Sequence, residues 1–112
     1  MLAGNDNVFL RVLEFGGAGG ILVASHLVGE RMREMWDAAE AGDLERARQI
    51  DAELTPAYEA TSVTTNPIPL KAALQMLGLA ENRLRLPMVP ADAEQTAAIR
   101  AGLEAAGVAV PD

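Results

Sequence analysis

Lys71 and Tyr58 are the residues of this chain whose types could support covalent and proton-transfer chemistry. Lys71 is the only lysine, and a lysine amine forms an imine with a carbonyl substrate when a pocket shields it from water. It lies a few residues inside a helix predicted to begin after two prolines, so we interpret it as a structural or ion-pairing residue. Tyr58 falls beside the apolar stripe of another predicted helix, which favours packing over proton relay.

His26 is the single histidine of the chain, and it follows a short apolar run that is typical of a buried strand. A histidine can act as a general acid or base near neutral pH. The sequence offers no nearby pair of carboxylates, so the catalytic unit is incomplete. We therefore interpret His26 as a residue at the start of a helix and keep a site role as the alternative.

Two glycine-containing segments could bring the backbone close to a ligand. Gly4, Asn5 and Asp6 follow a short apolar segment, and they are compatible with either an Asx-turn or a ligand contact. The glycines among residues 16–20 lack the GxxxxGK[ST] pattern of a phosphate loop and precede a strand rather than a helix. We interpret residues 16–20 as a tight turn from a helix into a strand.

Composition excludes several other functions. Sixteen acidic and nine basic residues give a net charge of −7, which repels nucleic acid. The chain has no cysteine and one histidine, so a disulfide framework is impossible and few of the usual zinc ligands are present. We therefore expect no metal and no cofactor. No apolar run approaches the ~20 residues of a membrane span, and a secretory leader pattern is absent. We expect no membrane association and a cytoplasmic location.

The first 25 residues have the pattern of a strand, a helix and a second strand. Residues 1–3 are predicted as a strand, and residues 8–15 as a helix that Gly16 and Gly17 end. Residues 20–24 form a continuous apolar run, which suits a strand buried on both faces in a parallel sheet.

Four helices are predicted in the remainder of the chain, over residues 26–41, 43–60, 67–77 and 92–106. Pro56 interrupts the second of them and predicts a kink or a break near Glu53. Pro67 and Pro69 fit the first turn of the third, because the early N–H groups of a helix have no partner within it. The third helix is expected to bury Leu70, Ala73, Leu74 and Leu77, and the last to bury Thr96, Ile99, Leu103 and Ala106.

Four short runs together resemble the C-terminal part of the dihydrodipicolinate synthase family. The most distinctive run has two prolines on either side of one apolar residue, at the start of a helix. The similarity extends from about residue 2 to residue 108. The runs are Thr64-Thr65-Asn66-Pro67-Ile68-Pro69-Leu70-Lys71, Leu84-Arg85-Leu86-Pro87-Met88, Gly4-Asn5-Asp6 and Gly16-Gly17-Ala18-Gly19-Gly20-Ile21-Leu22-Val23.

The resemblance implies an α/β parent fold, the TIM (β/α)8 barrel. A complete barrel takes about 250 residues and this chain has 112, so we expect a C-terminal fragment that is mostly α-helical with one or two short strands. Residues 1–25 would be the last strand, helix and strand of the barrel. Residues 26–112 would be the last barrel helix and a C-terminal helical domain. Met1 is expected to mark an imposed start rather than a natural domain boundary.

The resemblance also implies a reaction. The family condenses pyruvate with aspartate semialdehyde through a lysine imine, as a class I lyase of lysine and diaminopimelate biosynthesis, and it forms homo-tetramers. Its imine lysine and relay tyrosine lie upstream of this span. We therefore expect no catalytic residue here and an inactive isolated chain.

The family's pyruvate pocket matches Ile21 and Gly4, which are the substrate-binding residues that the resemblance implies. Strand alternation is expected to turn Ile21 and Val23 toward the barrel interior, with Leu22 and Ala24 toward the helices. The family commonly has serine where this chain has Leu22. His26 would follow at the end of the strand, on the face that carries barrel active sites.

Two alternatives stay open at this point. The chain could be a non-catalytic helical association module, or a fragment of a related pyruvate lyase such as N-acetylneuraminate lyase. The lyase is not expected to carry the Asn-Pro-Ile-Pro run. Strands without neighbours also expose unpaired backbone groups, which predicts either self-association through residues 1–3 and 20–24 or displacement of these strands onto the helices.

Overall fold

A computed structural model describes all residues from 1 to 112, and five helices dominate it. The elements in chain order are β1 (Leu2–Ala3), a 3-10 turn (Asp6–Val8), α1 (Phe9–Glu14), β2 (Gly19–Gly20), α2 (Ser25–Glu40), α3 (Leu44–Ala60), α4 (Ile68–Met76) and α5 (Ala93–Ala105). The chain divides into two compact units, Met1–Thr55 and Pro56–Asp112. Helix α3 contributes residues to both.

The first unit begins with a short strand, a helix and a second short strand. β1 and β2 are parallel, with Leu2 opposite Gly19 and Ala3 opposite Gly20. Parallel strands need a crossover connection, which α1 provides. α1 also contacts α2, and its inner face buries Phe9, Leu10 and Leu13. α2 adds the buried side chains of Val28, Met32 and Met35.

The strand predicted over residues 20–24 is wrong in its extent. β2 contains only Gly19 and Gly20, and the chain turns at residues 23 and 24 into α2. The reason is that the sheet has two strands only, so no third strand extends the ladder along this segment. The Ala24 N–H bonds instead to a side chain of the 3-10 turn, Asp6.

Helix α3 corrects a second prediction. A kink or a break was expected near Glu53, and the break does not occur, because the helix is continuous from Leu44 to Ala60 with Pro56 inside it. Proline removes one helical hydrogen bond, but Leu54, Ala57 and Tyr58 are buried on either side of Pro56. Burial of this face offsets the lost bond.

The second unit consists of the last turn of α3 together with α4 and α5. Pro67 precedes α4 as its N-cap and Pro69 lies in its first turn, close to the predicted arrangement. The fully buried residues of α4 are Pro69, Ala72 and Ala73. Leu70, Leu74 and Leu77, which the pattern expects to face inward, are only partly buried.

Helix α5 begins as its sequence predicts and packs against α4. The Asp92 side chain accepts from the Gln95 N–H at 2.8 Å, and the Gln95 side chain accepts from the Asp92 N–H at 3.0 Å. This reciprocal capping box satisfies two N–H groups that a helix start leaves without partners. Ile99 and Leu103 are the buried residues of α5. None of the helices combines the length and the apolar character that crossing a bilayer requires.

Candidate functional site

The carboxyl ends of β1 and β2 form one edge, and both residues expected at a substrate pocket lie there. Gly4 directly follows β1, and Ile21 directly follows β2. The register pairs Ala3 with Gly20, and the Ile21 N–H donates to the Ala3 carbonyl at 3.0 Å. Gly4 and Ile21 are therefore neighbours across the pair. In parallel α/β folds this is the edge at which ligands bind.

This edge is open in the present chain. The Ile21 side chain is 79% exposed. A side-chain carbon at Gly4 would meet no atom within 4 Å, so Gly4 is not kept small by any contact within the chain. Both positions are available to a ligand or to another polypeptide segment.

Asp6 ties the loop after β1 to the start of α2. Its Oδ1 accepts a hydrogen bond from the Ala24 N–H at 3.1 Å, across 18 positions of sequence. A carboxylate near a helix N-terminus is favoured by the unpaired N–H groups and the helix dipole. The bond fixes the spacing between the loops that carry Gly4 and Ile21. The sequence showed Asp6 only as a turn or ligand residue, because nothing in the pattern points to its distant partner.

The turn before β2 is held from two sides. The Trp36 Nε1–H of α2 donates to the Ala18 carbonyl at 2.9 Å, and the Arg33 guanidinium carbon lies 4.9 Å from the centre of the Trp36 ring. Gly17 approaches α1 so closely that a side-chain carbon there would lie 2.3 Å from Val12 Cγ1. Only glycine fits this position, in agreement with the predicted tight turn.

The three side chains that could have carried chemistry all lie within helices. His26 is exposed in the first turn of α2, as expected for a residue at the start of a helix. Tyr58 is buried in α3, and Lys71 is half-buried in α4. The backbone N–H of Lys71 donates to the Pro67 carbonyl at 2.9 Å. No group of three or more His, Cys, Asp or Glu side chains is arranged to hold a metal ion.

A small electrostatic cluster connects α1 to α3 within the first unit. The Arg48 Nε donates to Glu14 Oε1 at 2.7 Å. Burial raises the pKa of Asp51 above its ordinary value, and the negative charge of Glu14 raises it further. One carboxylate oxygen of Asp51 is buried without a hydrogen-bond partner. The contacts of this cluster lie among helices, so we interpret it as structural.

Comparison with known proteins identifies the relatives of this arrangement. A sequence model of the dihydrodipicolinate synthetase family matches residues 1–106. The 4-hydroxy-tetrahydrodipicolinate synthase of Cyanothece sp. is 46% identical over 102 residues, which cover 91% of this chain and 35% of that protein. The crystal structure of dihydrodipicolinate synthase from Thermotoga maritima matches with a TM-score of 0.89 and 40% identity, over 93% of this chain and 35% of that one.

A third comparison concerns a structure with a ligand. The chloride-inhibited dihydrodipicolinate synthase from Acinetobacter baumannii, complexed with pyruvate, matches with a TM-score of 0.91 and 27% identity. The match covers 96% of this chain and 37% of that one. These matches confirm the expected fold class, a mostly helical portion of a TIM barrel enzyme with two short strands. The chain spans about a third of the length of the relatives it matches.

Proposed function

The chain belongs to the dihydrodipicolinate synthetase family, and from this premise we propose that it supplies the C-terminal part of a 4-hydroxy-tetrahydrodipicolinate synthase. The proposed reaction is the condensation of pyruvate with aspartate semialdehyde, in lysine and diaminopimelate biosynthesis. One observation carries the proposal: Gly4 and Ile21 are adjacent at the carboxyl edge of a parallel pair.

In this proposal the chain lines part of the substrate pocket and supplies no reacting group. Imine chemistry needs a lysine amine in a shielded pocket, and in this proposal that lysine belongs to the barrel portion that the chain does not contain. Ile21 offers an apolar surface suited to the pyruvate methyl group, and it excludes water from the imine. Gly4, without a side chain, lets the substrate approach the β1 backbone closely.

Several properties of the whole enzyme follow from the proposal. The assembled protein would act in the cytoplasm as a homo-oligomer, and the isolated chain would be inactive. The relatives compared above carry the synthase name, which supports a synthase over N-acetylneuraminate lyase. A purely structural association module would not need Gly4 and Ile21 at an open strand edge.

A fusion protein tests the proposal. The part of the Cyanothece enzyme that precedes the match is joined to residue 1 of this chain, and imine formation is measured by pyruvate and borohydride trapping with intact-mass analysis. We expect one adduct per fusion protein on a lysine of the Cyanothece portion. We expect no adduct on Lys71 in the isolated chain. An adduct of the isolated chain that disappears in Lys71→Arg would contradict the proposal.

The role of Ile21 is tested in the same fusion protein. Ile21→Asp places a charge against the pyruvate methyl group, so kcat/KM for condensation should fall about tenfold or more. The matched control is Leu79→Asp, since Leu79 is also exposed (68%) but belongs to the second unit. Equal losses in the two variants would show that the effect is not specific to the strand edge.

A further inference from the structure

Ile21 lies midway between two backbone groups that side chains from elsewhere in the first unit hold. On one side of it the Ala18 carbonyl accepts from the Trp36 Nε1–H at 2.9 Å. On the other side the Ala24 N–H donates to Asp6 Oδ1 at 3.1 Å. The path of the backbone through Ile21 therefore depends on two long-range anchors, of which Trp36 is the one that precedes β2.

The Ala18 peptide is fixed more firmly than the two residues that follow it. Its N–H donates to the Met1 carbonyl at 2.9 Å, while its carbonyl is held by Trp36. Only the two glycines of β2 lie between Ala18 and Ile21. Glycine has no side chain to pack and the widest backbone freedom, so a shift at Ala18 passes directly to Ile21.

Trp36 is itself oriented by the helix that carries it. The preceding residue, Met35, is fully buried in the core of the first unit. The Arg33 guanidinium lies over the indole ring, and its Nε donates to Asp37 Oδ1 at 3.0 Å. A side-chain carbon at Gly19 would lie 4.0 Å from Trp36 Nε1, so the indole also borders the start of β2. It provides a fixed reference for the turn.

We propose that Trp36 is a positioning residue for the pyruvate pocket, acting through the Ala18 carbonyl on the direction of the Ile21 side chain. The inference rests on the proposed function, which places Ile21 against the pyruvate methyl group. The Ile21 side chain is largely exposed within this chain, so its backbone rather than its packing directs it. A displacement of about 1 Å in a pocket is enough to lower a rate markedly.

Trp36→Phe in the Cyanothece fusion tests the inference, because phenylalanine keeps an aromatic ring and lacks the N–H. We expect KM for pyruvate to rise about fivefold, the effect of losing one ordinary hydrogen bond. KM for aspartate semialdehyde should change by less than about twofold, since Ile21 faces pyruvate and a general loosening would raise both constants. An unchanged KM for pyruvate, or equal rises in both constants, contradicts the inference.

Met35→Val is the matched control on the same helix. It shortens a fully buried side chain and leaves the indole bond in place, so it should lower the melting temperature without changing either KM. The same rise in KM for pyruvate in Met35→Val and Trp36→Phe would show that loss of stability, rather than the bond, causes the effect.

A second substitution tests whether Trp36 acts through Ile21. Ile21→Ala removes the side chain that Trp36 is proposed to direct. In this background Trp36→Phe should change KM for pyruvate by less than about twofold, because substitutions that act through one contact are not additive. Fully additive effects would rule out the proposed route.

Hydrogen exchange of the isolated chain separates this inference from the proposed function. The Ala18 and Ile21 amides, which bond to the Met1 and Ala3 carbonyls, should exchange at least about fivefold faster in Trp36→Phe, while the amides of α3 keep their rates. A fusion that forms no imine contradicts the proposed function, yet this faster exchange would still support Trp36 as the anchor of Ile21. Unchanged exchange in a variant whose parent fusion is active removes the inference alone.

Discussion

At the scale of single residues, the most informative contact is the hydrogen bond between Asp6 and the Ala24 N–H. We expect Asp6→Ala to lower the free energy of unfolding by about 1–2 kcal/mol, because a helix start loses a charged acceptor. Asp6→Asn keeps a side-chain oxygen at the same place and should lose clearly less. Urea denaturation of the isolated chain measures both. Variants that are equally stable would show that the bond contributes nothing.

Asp51 predicts a dependence of stability on pH. Its pKa is raised in the folded chain by burial and by Glu14, so the folded state holds this proton more tightly than the unfolded state. The contribution of Asp51 to the free energy of unfolding is therefore fully present at acidic pH, below the unfolded pKa of about 3.9. It is lost as pH rises through the folded pKa. At neutral pH the buried negative charge is a net cost.

Asp51→Asn removes that cost. The variant should be more stable than the wild type at about pH 7, and its advantage should shrink as pH falls toward about 4. Urea denaturation across this range measures the difference, with Glu30→Gln as the control, since Glu30 is an exposed carboxylate on α2. An Asp51→Asn advantage that does not change with pH would contradict the assignment.

The sequence predicted part of this residue-scale picture. Gly4 and Ile21 came from the resemblance, and their adjacency follows from strand order in a parallel unit. The bonds of Asp6 to Ala24 and of Trp36 to Ala18 each span 18 positions. Such bonds depend on how helices and strands pack, and no local pattern of residue types encodes them.

At the scale of elements, α5 approaches the last turn of α3 closely at Gly102. A side-chain carbon there would lie 2.7 Å from both the Ala60 Cβ and the Pro56 carbonyl oxygen, and a backbone oxygen cannot move aside cheaply. We expect Gly102→Ala to destabilise the chain by about 1–3 kcal/mol, although alanine is the better helix former.

Gly29 provides the matched control for Gly102. It also lies inside a helix, α2, but a side-chain carbon there would meet only the Ser25 Cβ, at 4.0 Å. Gly29→Ala should therefore stabilise the chain by up to about 1 kcal/mol. If packing determines the effect, thermal or urea denaturation will show that Gly102→Ala lowers the free energy of unfolding and that Gly29→Ala raises it. Stabilisation by both substitutions would contradict the close approach.

Helices were predicted better than strands. Capping residues and glycine stops mark the ends of α2 and α5 within the sequence itself, and these ends are close to those observed. The apolar run of residues 20–24 could not reveal that β2 lacks a second neighbour, so the predicted strand was too long. Partial burial of Leu70 and Leu74 was missed for a related reason, because an apolar stripe does not show what covers it.

At the scale of the whole molecule, composition alone would have predicted only a small acidic domain. The four runs that resemble the family gave the barrel class, and the structural matches confirm it. The division at residue 25 into barrel and helical domain stays a prediction, since it refers to a parent barrel of which this chain is about a third. The proposed activity likewise depends on the portion of the relatives that this chain does not match.

Trp36, whose indole N–H bonds to the turn before β2, is also an intrinsic fluorescence probe of this chain. Trp36 is the only tryptophan and Tyr58 the only tyrosine, and they lie in different units. Tryptophan emission therefore follows the first unit, while tyrosine absorbance follows the second. Superimposable melting curves from the two signals would mark a single cooperative transition, and displaced curves would show that each unit melts by itself.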